Sequence, residues 1–193
     1  MNLPNKLTLT RIFMIPLFIV VFYLDVIPYN YAISAAIFAI AAFTDYLDGH
    51  IARKYNLVTN LGKFLDPSAD KVLVSTALIL ILVPVNTVLM PVLSFQFVAP
   101  LCVAIILARE LIVSGFRLVA VGKGKVIAAD KSGKIKTFIT DIAIIVILVA
   151  GEITKLEFDA FNIVGLVLLI VSTLLTIYSG IECVIKNKEV LKD

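Results

Sequence analysis

Six apolar segments, each close to bilayer length, constrain this chain more than any other feature. A helix needs about 20 mostly apolar residues to cross the hydrocarbon core. Candidate spans cover residues 12–26, 32–52, 66–83, 97–119, 135–150 and 161–185. Of the 193 residues, 61% are hydrophobic and none is tryptophan, with a mean hydropathy of +1.06. A soluble domain is nearer half apolar. The expected fold is therefore all-α: a polytopic membrane protein with six transmembrane helices, built as one domain over residues 1–193. Pro28 and Asn30 break the first pair of spans, and Pro84, Asn86 and Pro91 mark the turn between the third and fourth. Gly122, Gly124 and Gly133 punctuate a basic connection before the fifth. Residues 1–10 are expected as a short separate helix on the membrane surface. Lys6 and Arg11 before an apolar run imitate a signal peptide, but no small-residue cleavage site follows, so the first span reads as retained. Cys102 and Cys183 fall within spans and read as free thiols.

The charges give a direction. Six spans put both termini on one side. Of the 17 lysines and arginines, all but Lys155 then fall on or near that side. Cytoplasmic loops carry the excess of such residues, so a cell-membrane protein with both termini in the cytoplasm is expected. Net charge is only +3, and no nucleic-acid partner is expected.

Against this background, four acids stand out: Asp45 and Asp48, then Asp66 and Asp70. Acids beside membrane-length segments are costly and need a task. The first two are spaced i, i+3 and the second two i, i+4, so each pair shares a helix face. Two such helices packed together aim four carboxylates at one point. All-oxygen ligands favour Mg2+ or Mn2+, as one or two ions. Gly49 lets a phosphate or nucleotide approach the backbone, and Arg53, one turn on, can grip a phosphate with its planar fork. Gly62 opens backbone access again, and Pro67 fits a helix start. Such a site suits a phosphoanhydride: two metals would neutralise the diphosphate for in-line attack, while one carboxylate takes the proton of an attacking hydroxyl.

The run Asp-x2-Asp-Gly-x2-Ala-Arg-x8-Gly-x3-Asp-x3-Asp resembles the signature of the CDP-alcohol phosphatidyltransferases. Asp45, Asp48, Gly49, Ala52, Arg53, Gly62, Asp66 and Asp70 meet every fixed position. The resemblance implies six membrane helices, a homodimer and a metal site facing the cytoplasm. It implies that Asp45, Asp48 and Asp66 are metal ligands, and that Asp70 is the general base and touches a second metal. Gly49, Arg53 and Thr59 are implied for the CDP-diacylglycerol site.

Asn2-Leu-Pro4-Asn5-Lys-Leu-Thr8-Leu-Thr-Arg11, Ala108-Arg109-Glu110, Ser114-Gly115-Phe-Arg117 and Gly133-Lys134-Ile-Lys136-Thr137 are similar to the bacterial branch of that family that forms phosphatidylglycerol phosphate. That branch implies sn-glycerol 3-phosphate as acceptor and CMP as leaving group. Ser68 departs from the aliphatic residue usual there. The cation pattern fits that acceptor independently. Arg109 and Arg117 lie about two helical turns apart, Lys134 and Lys136 open span five, and the four could hold a dianionic phosphate. They equally suit topology anchors, with Glu110 as an arginine partner. The same chemistry with inositol phosphate or another acceptor, and a cation transporter using the acids as an ion path, are the alternatives. Transport predicts acids near the midplane, whereas these cluster at one membrane edge. Lys123, Lys125 and Lys131 read as a solvated or headgroup-facing cluster, His50 as a rim residue, and the alanines of span two as helix packing. Asp141 and Glu182 lie inside later spans without assigned chemistry.

Overall fold

The computed structural model describes residues 3–24, 26–54, 60–83, 93–125, 127, 131–154 and 160–191. Among these, all regular structure is helical: α1 (Leu3–Tyr23), α2 (Asn30–Lys54), α3 (Asn60–Leu80), α4 (Leu93–Gly122), α5 (Lys131–Thr154) and α6 (Ala160–Lys186), followed by a 3-10 turn over Lys188–Leu191. One helix stands at each position where an apolar segment was expected. Three contain stretches long and apolar enough to cross a membrane: Lys6–Tyr23, Phe97–Gly122 and Ala160–Lys186.

The separate surface helix expected over residues 1–10 is corrected. Leu3 to Tyr23 is one continuous helix, because nothing between Lys6 and Arg11 interrupts backbone hydrogen bonding. Arg11, fully buried against α2, holds those first turns to the bundle. Pro16 is accommodated within α1.

Packing is most extensive between α5 and α6, then between α1 and α2, with α4 on α6, α2 on α5 and α1 on α3. At one end of the α1/α2 pair, Phe18, Phe22, Tyr31 and Phe38 are fully buried. Ring centroids lie 5.3 Å apart for Phe22 and Tyr31 and 6.2 Å for Phe18 and Phe38, distances at which tilted aromatic pairs attract. The Asn30 side chain donates to the Phe22 carbonyl, joining the end of α1 to the start of α2. Glu152 of α5 accepts from the Tyr31 backbone N–H at 3.1 Å, placing an anion at the positive end of α2.

The α5/α6 contact is built differently. The buried face of α6 carries Gly165, Ser172, Thr173, Thr176, Ser179 and Gly180. Val167, Leu174, Ile181 and Ile185 face outward. Small residues let the backbones approach: a Cβ at Gly165 would stand 2.7 Å from Ile147 Cγ1. The Thr140 and Ser172 hydroxyls meet at 2.6 Å. Apolar outside and small or polar inside is the arrangement suited to lipid surroundings, where close packing and internal hydrogen bonds replace hydrophobic burial.

Candidate active site

The charged groups gather where Arg11 of α1, Asp45 of α2, Glu110 of α4 and Lys136 of α5 come within electrostatic reach of Asp70 on α3. Arg11 Nη1 donates to Asp45 Oδ1 at 2.7 Å, and its Nε donates to the Ala41 carbonyl at 3.2 Å. The arginine is fully buried while the Asp45 side chain is 40% exposed, so one charge is fixed and the other still faces the site. Thr8, one turn earlier on α1, is also fully buried.

Asp70 projects from α3 into the same region. Asp45, Arg11, Lys136 and Glu110 all act on it electrostatically. It lines a cavity of about 30 Å³ with Lys71, Glu110, Lys136, Thr137 and Thr140, room for roughly one water. Glu110 joins the cations of two helices. It accepts from Arg109 Nη1 at 3.0 Å and also pairs with Lys136 Nζ. Arg109 Nη2 donates to Ser179 Oγ of α6 at 2.7 Å. Ser179, Arg109, Glu110 and Lys136 therefore form one chain of contacts across α6, α4 and α5. Lys71 reaches across to Ser114 Oγ at 2.7 Å.

The donor chemistry fits an oxygen-preferring divalent ion. Asp45 and Asp70, from facing helices, lie close enough to repel, and a cation between carboxylates relieves that repulsion. Among the described residues no three acids come close enough to hold an ion by themselves. Asp48 and Asp66 sit on α2 and α3, but their side chains fall outside what the structure describes.

A family model for CDP-alcohol phosphatidyltransferase matches residues 1–178. The chain belongs to the CDP-alcohol phosphatidyltransferase family. Curated relatives named CDP-diacylglycerol--glycerol-3-phosphate 3-phosphatidyltransferase align over nearly its whole length. The Bacillus subtilis protein is 42% identical, with 99% of this chain and 97% of the relative covered. The Rickettsia felis protein is 37% identical over 93% of this chain and 91% of its own. That of Salmonella typhimurium is 37% identical over 94% and 92%.

Within this phosphatidyltransferase, the structure brings some of the expected residues together. Asp45, Asp70 and Lys136 share one electrostatic neighbourhood. Gly49 lies on α2; the side chains of Arg53, Asp48 and Asp66 fall outside what the structure describes, and Thr59 lies outside the described residues altogether. The expected cation group is not gathered as a tetrad. Of its four members only Lys136 lines the cavity beside Asp70. Arg109 is turned to Glu110 and Ser179, Lys134 is exposed, and Arg117 is half-buried with no hydrogen-bond partner for Nε among the described residues.

Sequence reasoning about the phosphatidyltransferase missed the support for Arg109 from α6. Gly180 leaves the space across which that arginine lies: a Cβ there would stand 3.1 Å from Arg109 Cγ. The signal was the recurrence of small residues at Ser172, Thr176, Ser179, Gly180 and Cys183, which is helical spacing. Glu182 has an ordinary task. It accepts from Ser132 Oγ and Lys186 Nζ, tying the start of α5 to the end of α6.

Proposed function

We propose that the protein transfers the phosphatidyl group of CDP-diacylglycerol to sn-glycerol 3-phosphate, releasing CMP and forming phosphatidylglycerol phosphate. The observation that carries this reading is the near-full-length identity, 42% and 37%, to relatives named for that reaction. Asp45, Asp48, Asp66 and Asp70 would hold Mg2+ or Mn2+, as two ions. When bound, these neutralise the negative charge of the diphosphate and favour in-line displacement. Gly49, Arg53 and Thr59 take the CDP-diacylglycerol. Asp70 accepts the proton of the acceptor's primary hydroxyl. The hydroxyl oxygen forms a bond to the lipid-side phosphorus as the bond from that phosphorus to CMP breaks, and CMP leaves with the electron pair. Lys136, assisted by Arg109, Arg117 and Lys134, binds the acceptor's phosphate. Lys136 has three N–H donors, so its pairing with Glu110 leaves donors for that phosphate.

In this reading residues 1–193 form one membrane domain of six spans, surrounded by membrane lipids and paired as a homodimer in the cell membrane. Both termini and the site face the cytoplasm. Support comes from the apolar outward faces of α1, α4 and α6 and from the collection of cationic residues at the Asp70 end of the helices. The test is CMP release by protein reconstituted with CDP-diacylglycerol and Mg2+, comparing glycerol 3-phosphate, inositol phosphate and serine. Release with glycerol 3-phosphate alone is expected. Release only with another acceptor would keep the transferase chemistry and overturn the acceptor. No metal-dependent release from folded protein would reject the transferase reading and reopen transport.

A further inference from the structure

Asp141 on α5 belongs to neither the signature acids nor any ion pair described above. It lies five residues, about 1.4 helical turns, beyond Lys136 and about one turn beyond Thr137; those two line the cavity beside Asp70, and Asp141 stands behind that lining. Its Oδ1 is buried and has no hydrogen-bond partner among the described residues. The charged groups acting on it are Asp70, Asp45 and Lys136, two acids against one cation that Glu110 already engages. Neighbouring hydroxyls are directed elsewhere. Thr137 donates to the Gly133 carbonyl, and Thr140 shares its hydroxyl with the Lys136 carbonyl and Ser172. A buried carboxyl oxygen without a hydrogen-bond partner is costly. Such a group is retained where something arriving supplies the donor.

The acceptor in the proposed reaction has three polar points. Its phosphate belongs at Lys136 and its primary hydroxyl at Asp70. Its secondary hydroxyl, on the middle carbon, lies between them. Asp141 is within electrostatic reach of both Lys136 and Asp70, and its buried Oδ1, without a hydrogen-bond partner among the described residues, is open to a ligand hydroxyl. We propose that Asp141 is a positioning and specificity residue that accepts a hydrogen bond from the secondary hydroxyl of the polyol phosphate. With phosphate and primary hydroxyl fixed at two points, this third contact reads the configuration of the middle carbon. It therefore distinguishes sn-glycerol 3-phosphate from its mirror image, sn-glycerol 1-phosphate. The inference rests on the transferase reading above.

The test compares kcat/KM for sn-glycerol 3-phosphate, sn-glycerol 1-phosphate and 3-hydroxypropyl phosphate, which lacks the secondary hydroxyl. Wild type, Asp141→Ala and Asp141→Asn are each reconstituted with CDP-diacylglycerol and Mg2+. Wild type is expected to prefer the natural acceptor over both analogues. Asp141→Ala should lower kcat/KM for the natural acceptor about 10- to 100-fold, leave 3-hydroxypropyl phosphate within about 3-fold, and bring the mirror-image ratio close to one. The KM for CDP-diacylglycerol and the Mg2+ concentration giving half-maximal rate should not move. Asp141→Asn keeps the shape and a weaker acceptor, so its preference should fall between the two; it carries the test if the alanine variant does not fold. An equal loss on all three acceptors, or an unchanged mirror-image ratio in a folded variant, would overturn the proposal. A shift in Mg2+ dependence with the ratio preserved would overturn it in favour of metal binding. Failure of wild type to use any glycerol phosphate would instead remove the transferase reading, and this inference with it.

Discussion

Phe18, Phe22, Tyr31 and Phe38 fill the space between α1 and α2 at one end. About three helical turns away, the same two helices are joined by Arg11 and Asp45. The aromatic end satisfies its backbone through Asn30 and Glu152 and keeps its large side chains out of contact with the surroundings. The charged end collects Asp45, Asp70, Asp141, Glu110 and Lys136 within one electrostatic neighbourhood. Desolvating charges costs more than burying rings, and buried ion pairs are weak stabilisers. The contrast separates two roles: the aromatic end and the α5/α6 seam hold the bundle, while the charged end, in the function proposed above, is retained for what it binds.

The sharpest way to break this contrast is to remove divalent ions. Chelation is expected to reduce CMP release at least ~10³-fold, with recovery on adding Mg2+ or Mn2+; metal-independent release would show that the charged end works without an ion. At the other end, Phe22→Ala should cost about 3–5 kcal/mol of stability in a denaturation titration, while kcat/KM per folded molecule stays within about 2-fold. A loss confined to activity would merge the two ends into one functional unit. Gly165→Ala forces a Cβ against Ile147 and should cost about 1–3 kcal/mol. Combined with Ile147→Ala, it should cost less than the sum of the two single changes in a double-mutant cycle, and simple additivity would contradict the close α5/α6 approach.

Glu110→Gln sharpens the contrast from within the charged end. It weakens the shared anchor of Arg109 and Lys136, so KM for the acceptor should rise about tenfold with little change in kcat. The smallest effect is expected at Lys125 and Glu189, an exposed pair at 3.0 Å. The hydrogen bond from Lys125 holds the Glu189 carboxyl below its ordinary pKa. Any stabilisation is therefore present above the ordinary glutamate range and fades as pH falls through the lowered value. Lys125→Ala should leave both stability and activity unchanged within error, since exposed pairs contribute little.

Much of this organisation is readable from the chain. Runs of apolar residues located the six helices, because periodicity and length are local properties. The spacing of Asp45, Asp48, Asp66 and Asp70 pairs them on helix faces, because i, i+3 and i, i+4 residues lie on one side whatever surrounds them, and the structure brings Asp45 and Asp70 within electrostatic reach of each other. What was not readable is tertiary. Arg11 stands in sequence only as a cation before an apolar run, yet in the fold it is buried on Ala41 and Asp45 and draws the first turns into one helix. Arg109 and Arg117 were grouped by helical spacing, but besides its neighbour Glu110 the partner of Arg109 is Ser179, 70 residues away. High hydropathy masked the small and hydroxyl residues of α6, whose task appears only when α5 and α4 lie against them. Asp141 was visible as an acid inside an apolar span, but its neighbours were not.

The most direct test of the account is single-turnover CMP release by Asp70→Asn beside wild type, in vesicles with saturating CDP-diacylglycerol, glycerol 3-phosphate and Mg2+, with thermal unfolding measured on the same samples. The account predicts a rate at least ~10²-fold lower from a protein that still unfolds in a single cooperative transition. A folded Asp70→Asn protein that releases CMP at the wild-type rate would contradict it.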